Sequence, residues 1–98
     1  MAKYYLTNKA VKDLSGIWDY TFDHWSEEQA DIYYHGMLDS CTKIAMHPEI
    51  GREFDGIAPD LLGYRTQRHI IFYRTGLPNG IEITSILHEK IDLKRRLF

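Results

Sequence analysis

The chain has 98 residues, 44% hydrophobic and 27% charged, with a formal net charge of −2, the profile of one soluble domain with room for one modest core. A single cysteine, Cys41, excludes an internal disulfide framework, and no apolar run approaches the roughly 18 residues of a membrane span. The opening Met1–Leu6 has no long apolar segment of the secretory kind, so the expected compartment is the cytoplasm.

In chain order, Lys3–Thr7 (KYYLT) is a short β-prone run. Thr7 has the chemistry of a helix N-cap, and from Asn8 to about Trp25 the apolar residues Val11, Leu14, Trp18, Phe22 and Trp25 recur at steps of three and four, with Ala10, Ile17 and Thr21 beside them. Ser26–Gln29 is a capping box that opens a second helix to about His47, with a stripe of Ala30, Tyr34, Met37, Cys41 and Ile44 that Pro48 ends. The two helices abut with almost no loop, which predicts an antiparallel helix hairpin. Gly16 and Gly36 interrupt these helical patterns, either for close approach of the helices or as tolerated weak spots.

Residues 49–62 carry Gly51, Gly56 and Pro59 without periodicity and predict a connecting loop. Three strands follow: Leu62–Thr66, then His69–Tyr73, then Ile81–Leu87, the last two joined through Pro78-Asn79-Gly80, a turn with a fixed φ and two residues tolerant of positive φ. Alternation places Ile81, Ile83 and Leu87 on one face, toward the helices, and Glu82, Thr84, Ile86 and His88 on the other, which would be open. The fold class is α+β: an N-terminal strand, a helix hairpin, and a three-stranded antiparallel meander shielded on one face. Lys90–Phe98 closes the chain as a basic tail.

Charge is unevenly distributed. Residues 1–60 hold 11 acids against 5 bases, and residues 61–98 hold 3 acids against 7 bases, a layout suited to a macromolecular partner. The chain has no phosphate-cradling glycine loop, nucleophile elbow, i,i+4 histidine pair or second thiol; no metal or cofactor is expected. Arg65, Arg68, His69, Tyr73, Arg74 and His88 fall on or beside the hairpin. Such a set holds an RNA phosphate and moves a proton, or serves a protein surface, or keeps the sheet soluble.

Taken together, Leu14–Tyr20 (LSGIWDY), Trp25–Tyr33 (WSEEQADIY), His47–Gly51 (HPEIG), Arg68–Arg74 (RHIIFYR) and Ile86–Asp92 (ILHEKID) resemble the RelE/ParE toxin superfamily, in its ParE branch. The resemblance spans Tyr5 to Leu97. It implies a toxin of a bacterial toxin–antitoxin pair that blocks DNA gyrase without chemistry of its own, is neutralised by a ParD-like antitoxin, and reaches DNA only through the antitoxin complex. The alternative it carries is ribosome-dependent mRNA cleavage of the RelE type. Against that, His69 stands where an arginine is typical of the mRNA cutters, and Arg68, one step earlier, would point to the opposite face of a strand; a bulge re-aiming one of them would rebuild a site from Arg68, His69 and His88.

With no catalytic residues expected, the target-binding candidates are Arg65, Arg68, Arg74, Lys94, Arg95 and Arg96. The antitoxin-binding candidates are the leftover aromatics Tyr20, Trp25, Tyr33 and Tyr64, in a largely apolar groove.

Overall fold

A computed structural model describes residues 3–90. The elements run β1 (Lys3–Leu6), α1 (Asn8–His24), α2 (Glu27–Met46), a 3-10 turn (Pro48–Ile50), β2 (Arg52–Glu53), β3 (Leu62–Thr66), β4 (His69–Leu77) and β5 (Gly80–His88). Capping chemistry sets the helix starts: the Thr7 hydroxyl accepts the Ala10 N–H and the Ser26 hydroxyl accepts the Gln29 N–H.

The strands form one sheet in the order β1-β5-β4-β3-β2. The expected antiparallel meander is its centre, extended by β1 running parallel to β5 and by two-residue β2 against β3. Residues 49–62 are thus more than a loop. They contain the 3-10 turn, tied to the sheet by buried Tyr73, whose hydroxyl donates to the Pro48 carbonyl at 2.6 Å and accepts from the Gly51 N–H at 2.9 Å. The turn between β4 and β5 is Pro78-Asn79, with Asn79 at φ 71°. Gly80 already belongs to the strand; a Cβ there would sit 2.1 Å from the Lys3 carbonyl oxygen, so glycine admits β1 alongside.

The main core lies between the helices and one face of the sheet: Ala10, Leu14, Met37, Cys41, Ile44, Ile71, Tyr73, Ile81, Ile83 and Ile86 are all buried in it. The α2 stripe is the expected one. Of the expected α1 stripe only Leu14 is buried. Ala10, Leu14 and Thr21 are buried, while Val11, Phe22 and Trp25 are exposed, because α1 turns its small residues toward the close-lying sheet and its large aromatics outward. The opposite face of the meander is not free either. Residues 54–61 fold over it, and Phe54, Ile57, Ala58 and Leu61 pack on Ile70, Phe72 and Leu87.

The expected alternation on β5 holds only for half the strand. Phe72 pairs with Ser85 but the next residue, Tyr73, pairs with Ile83, so Thr84 is an extra residue in a β-bulge. Beyond it every side chain changes sides. Ile86 joins the core under the helices and Leu87 moves to the outer cluster, the reverse of their expected faces. His88 moves with Ile86, onto the helix side.

The glycines in the helices have separate explanations. At Gly36 a Cβ would lie 2.5 Å from the Gln67 side-chain nitrogen, so the close approach is to the β3–β4 turn and not to the other helix. At Gly16 a Cβ would meet nothing within 4 Å.

Candidate functional site

On the edge away from β4, the far half of β5 lacks a strand neighbour. β1 pairs with β5 only as far as Leu6 opposite Ile83; beyond it the chain turns into α1, and helix side chains take over the strand's hydrogen bonds. The Thr7 hydroxyl donates to the Thr84 carbonyl at 2.9 Å, and Asp13 Oδ2 accepts the Ile86 N–H at 2.9 Å while paired with Lys9 at the same distance. A helix cannot lie as close to a sheet edge as a strand does. The space left is a groove of about 1280 Å³.

Lys9, Lys12, Gly16, Ile17, Tyr20 and Thr21 of α1 form one wall of the groove and Gln29 and Tyr33 of α2 another; Trp25 stands where the helices meet. Ile86 and His88 lie along β5, and Gln67, Arg68 and His69 close the end. Trp25 is 75% exposed and Tyr20 61% exposed. Three of the four aromatics expected to bind an antitoxin therefore share one groove. Tyr64 does not line it; its hydroxyl accepts from Lys43 Nζ at 3.1 Å.

The closed end is built on a two-residue turn. Thr66 pairs with His69, and between them Gln67 and Arg68 adopt φ 49° and 65°. Both central residues of such a hairpin turn need positive φ, for which Asn-Gly is the favoured pair. Glutamine and arginine there store strain of order 1 kcal/mol each. Neighbours hold the turn in place: the Tyr33 hydroxyl donates to the Gln67 carbonyl, the Gln67 side chain packs over Gly36, and the Glu89 N–H donates to the Arg68 carbonyl at 3.0 Å. Arg68 is thus not a strand residue facing away from His69, as alternation suggested; it lines the same groove.

His69 and His88 are cross-strand partners whose rings meet edge-to-face with centroids 5.3 Å apart, and Tyr33 meets His69 likewise at 5.9 Å. Their hydrogen bonds set opposite tautomers in the neutral rings. His69 Nδ1 lies 3.1 Å from the Gln67 carbonyl, which only accepts, so Nδ1 carries the proton and Nε2 the lone pair. His88 Nδ1 accepts the Lys90 N–H at 3.1 Å, so its Nε2 carries the proton. Burial lowers the His69 pKa, opposed by its bond to the Gln67 carbonyl, and nearby His88 lowers it further. Burial raises the Tyr33 pKa, and Arg68 opposes this. The arrangement offers one proton acceptor, one donor and a guanidinium.

The basic residues expected to bind a target do not gather. Arg65 and Arg74 lie on the outer face: Arg65 Nε is 3.5 Å from Glu89 and Arg74 stands opposite Glu82. Arg68 is in the groove on the other side, while Lys94, Arg95 and Arg96 lie outside the described residues. Among the described residues no three His, Cys, Asp or Glu side chains are grouped to hold a metal, and no helix is long and apolar enough to cross a membrane. Burial raises the Cys41 thiol to about 12, which leaves it unreactive.

The groove's position could not be read from the sequence, because it depends on where β1 stops and where β5 bulges. A weak local signal existed in Gln67-Arg68, a polar pair between two strand-like runs.

A family model described as the ParE toxin of the parDE type II toxin–antitoxin system matches residues 4–93. Toxin ParE1 of Mycobacterium tuberculosis is 32% identical over 96 residues, covering 98% of each chain. Toxin ParE1 of Caulobacter vibrioides is 30% identical over 97 residues, covering 99% of each. A solved structure described as a chromosomal ParDE system from P. aeruginosa superposes with a TM-score of 0.77 at 18% identity, covering 90% of this chain and 96% of that one, a likeness of fold.

Proposed function

Because this chain belongs to the ParE toxin family of type II toxin–antitoxin systems, we propose that it inhibits DNA gyrase by binding and is held inactive by an antitoxin of the ParD kind. The observation that carries this most is the extent of the family match, residues 4–93, which takes in all but the first of the described residues. The inhibitor has no bond chemistry of its own and acts in the cytoplasm. It holds gyrase at a point where DNA is already broken.

The antitoxin's place is the groove. Its apolar wall of Ile17 and Ile86 and its exposed rim of Tyr20 and Trp25 suit an amphipathic segment that orders as it binds. The gyrase-contacting surface is the outer face with Arg65 and Arg74, together with Lys94, Arg95 and Arg96. Arg68 passes to the groove. The cation at Arg65 starts partly neutralised by Glu89, an exposed pair of the kind that contributes at most about 1 kcal/mol.

A second reading, ribosome-dependent cleavage of mRNA, is favoured by one observation: the bulge at Thr84 turns His88 in beside His69 and Arg68, with opposite tautomers. It ranks second because the Tyr33 hydroxyl, a further proton donor in reach, is committed to the Gln67 carbonyl. One experiment separates the two. The purified chain is given gyrase and plasmid in one tube and translating ribosomes with mRNA in another. Gyrase supercoiling is expected to fall and cleaved plasmid to accumulate, with the message intact and recovery on adding antitoxin. Full gyrase activity at saturating toxin would overturn the first reading, and cut message would install the second.

A further inference from the structure

We propose that the chain, free of antitoxin, pairs with a second copy of itself through the outer edge of β1. The two strands run antiparallel about a two-fold axis at Tyr5, so that two five-stranded sheets join into one. This goes beyond gyrase inhibition and antitoxin binding, and no residue of β1 lines the groove.

Three observations converge on it. The first is the backbone. The Lys3 N–H donates to the Asn79 carbonyl at 2.9 Å and the Thr7 N–H to the Ile83 carbonyl at 3.1 Å. In a strand ladder alternate residues turn their N–H and C=O to the same neighbour. Lys3, Tyr5 and Thr7 therefore face β5, while Tyr4 and Leu6 turn theirs to the open edge. Among the described residues β1 has no strand partner but β5, and these outward groups are unpaired.

The second is the state of the other edges. β2, at the far side of the sheet, is two residues long and both are charged, Arg52 and Glu53, which blunts it against further pairing. The open half of β5 has its Ile86 N–H taken by Asp13. β1 has no proline and no bulge, and its one charge, Lys3, stands ahead of Tyr4-Tyr5-Leu6. It is the edge left ready to pair.

The third is symmetry, and it selects the occupant. The two outward residues flank Tyr5 equally. A second copy centred there sets Tyr4 opposite its Leu6 and Leu6 opposite its Tyr4, each pair exchanging both backbone bonds. Every outward group of both copies is then satisfied by one contact, as a closed two-fold interface requires. Tyr4 and Leu6 pack toward the main core, which leaves Tyr5, 46% exposed, on the outer face. On the axis it meets its own copy as a close, non-hydrogen-bonded aromatic pair.

The contact is small, so the dimer should dissociate on dilution. The full chain, without antitoxin, is followed by light scattering over a concentration series. Its mass should rise from 11.6 kDa toward twice that value, and hydrogen exchange at the Tyr4 and Leu6 amides should slow over the same range. Tyr5→Lys, at an exposed position, sets like charges opposite each other and should hold the chain monomeric; Tyr5→Phe should still dimerise. Cysteines then read the register. Residues in a non-hydrogen-bonded pair have Cα atoms about 4.5 Å apart, within disulfide reach. Tyr5→Cys should cross-link to its own copy under a mild oxidant, and Lys3→Cys, two residues off the axis, should not. Cys41 does not compete, being buried with its thiol pushed up to about 12. Circular dichroism confirms that the variants are folded. A monomer at every concentration, a dimer that folded Tyr5→Lys leaves intact, or cross-linking at Lys3→Cys in place of Tyr5→Cys would overturn the proposal. None of these outcomes bears on gyrase inhibition, which the supercoiling assay decides separately.

Discussion

In the first half of β5, Ile81 and Ile83 point beneath the helices and are buried in the main core. In the second half, past Thr84, the helix-side positions are Ile86 and His88, and they border an open groove. The two halves are one strand with one partner, β4, along its whole length. They differ in what lies on the other edge. The first half has β1 beside it, close enough that Gly80 has no room for a Cβ. The second has α1, standing further off and reaching in with Thr7 and Asp13. A strand neighbour closes the core, a helix neighbour leaves a cleft, and one bulged residue decides which side chains look into it.

The comparison is tested most directly by deleting Thr84. Pairing with β4 would then run unbroken from Ser85 to Ile83, with Ile86 and His88 kept on the helix side and Leu87 on the outer side. The loss should be about 2 kcal/mol, from the Thr84 bonds to Thr7 and Phe72; urea unfolding measures it, and a loss above about 4 kcal/mol would show that the faces exchange when the bulge is removed. A smaller change sharpens the contrast. Gly16 borders the groove with no neighbour within 4 Å of a Cβ, so Gly16→Ala should stabilise the fold by about 1 kcal/mol through helix propensity alone. Destabilisation there would mean that the cleft is closed in solution.

The smallest effect is one of pH. His69 has its pKa lowered from the ordinary 6.5 by burial, with His88 adding to the shift. Its neutral form is the one that fits the fold. The resulting stability is present above the ordinary histidine value and is lost as pH falls through the lowered one. Unfolding midpoints should therefore drop between about pH 7 and about pH 5, and His69→Gln should flatten that slope. An unchanged slope in the variant would assign the pH dependence elsewhere.

Several elements were legible in the sequence because their causes are local. Thr7 and Ser26 cap helices through bonds spanning three residues, and Pro78-Asn79 turns the chain within two. The α2 stripe was legible because the helix is amphipathic with its larger apolar residues inward. On α1 the same reasoning selected Val11, Leu14, Trp18, Phe22 and Trp25, of which Leu14 is buried; the rest of the buried stripe is Ala10 and Thr21, which the reasoning placed beside it. Hydrophobicity ranks stripes by size, but the contact of α1 with the rest of the fold takes Ala10, Leu14 and Thr21 and leaves Tyr20, Phe22 and Trp25 exposed. For the site, Tyr20, Trp25, Tyr33, Arg68, His69 and His88 were all named from the sequence, yet sorted into different roles; the structure sets all six around one groove.

What the sequence alone determined about this protein is its helix ends, its hairpin turn, its α+β order and, through segments spread from Tyr5 to Leu97, its family. Those are set by interactions within a few residues or by pattern. Only the tertiary structure decided which face His88 takes, which side of α1 is buried and that a groove exists at all. Each of these turns on contacts between residues some 70 positions apart, Thr7 with Thr84 and Asp13 with Ile86, and no periodicity in a chain records where a distant strand stops.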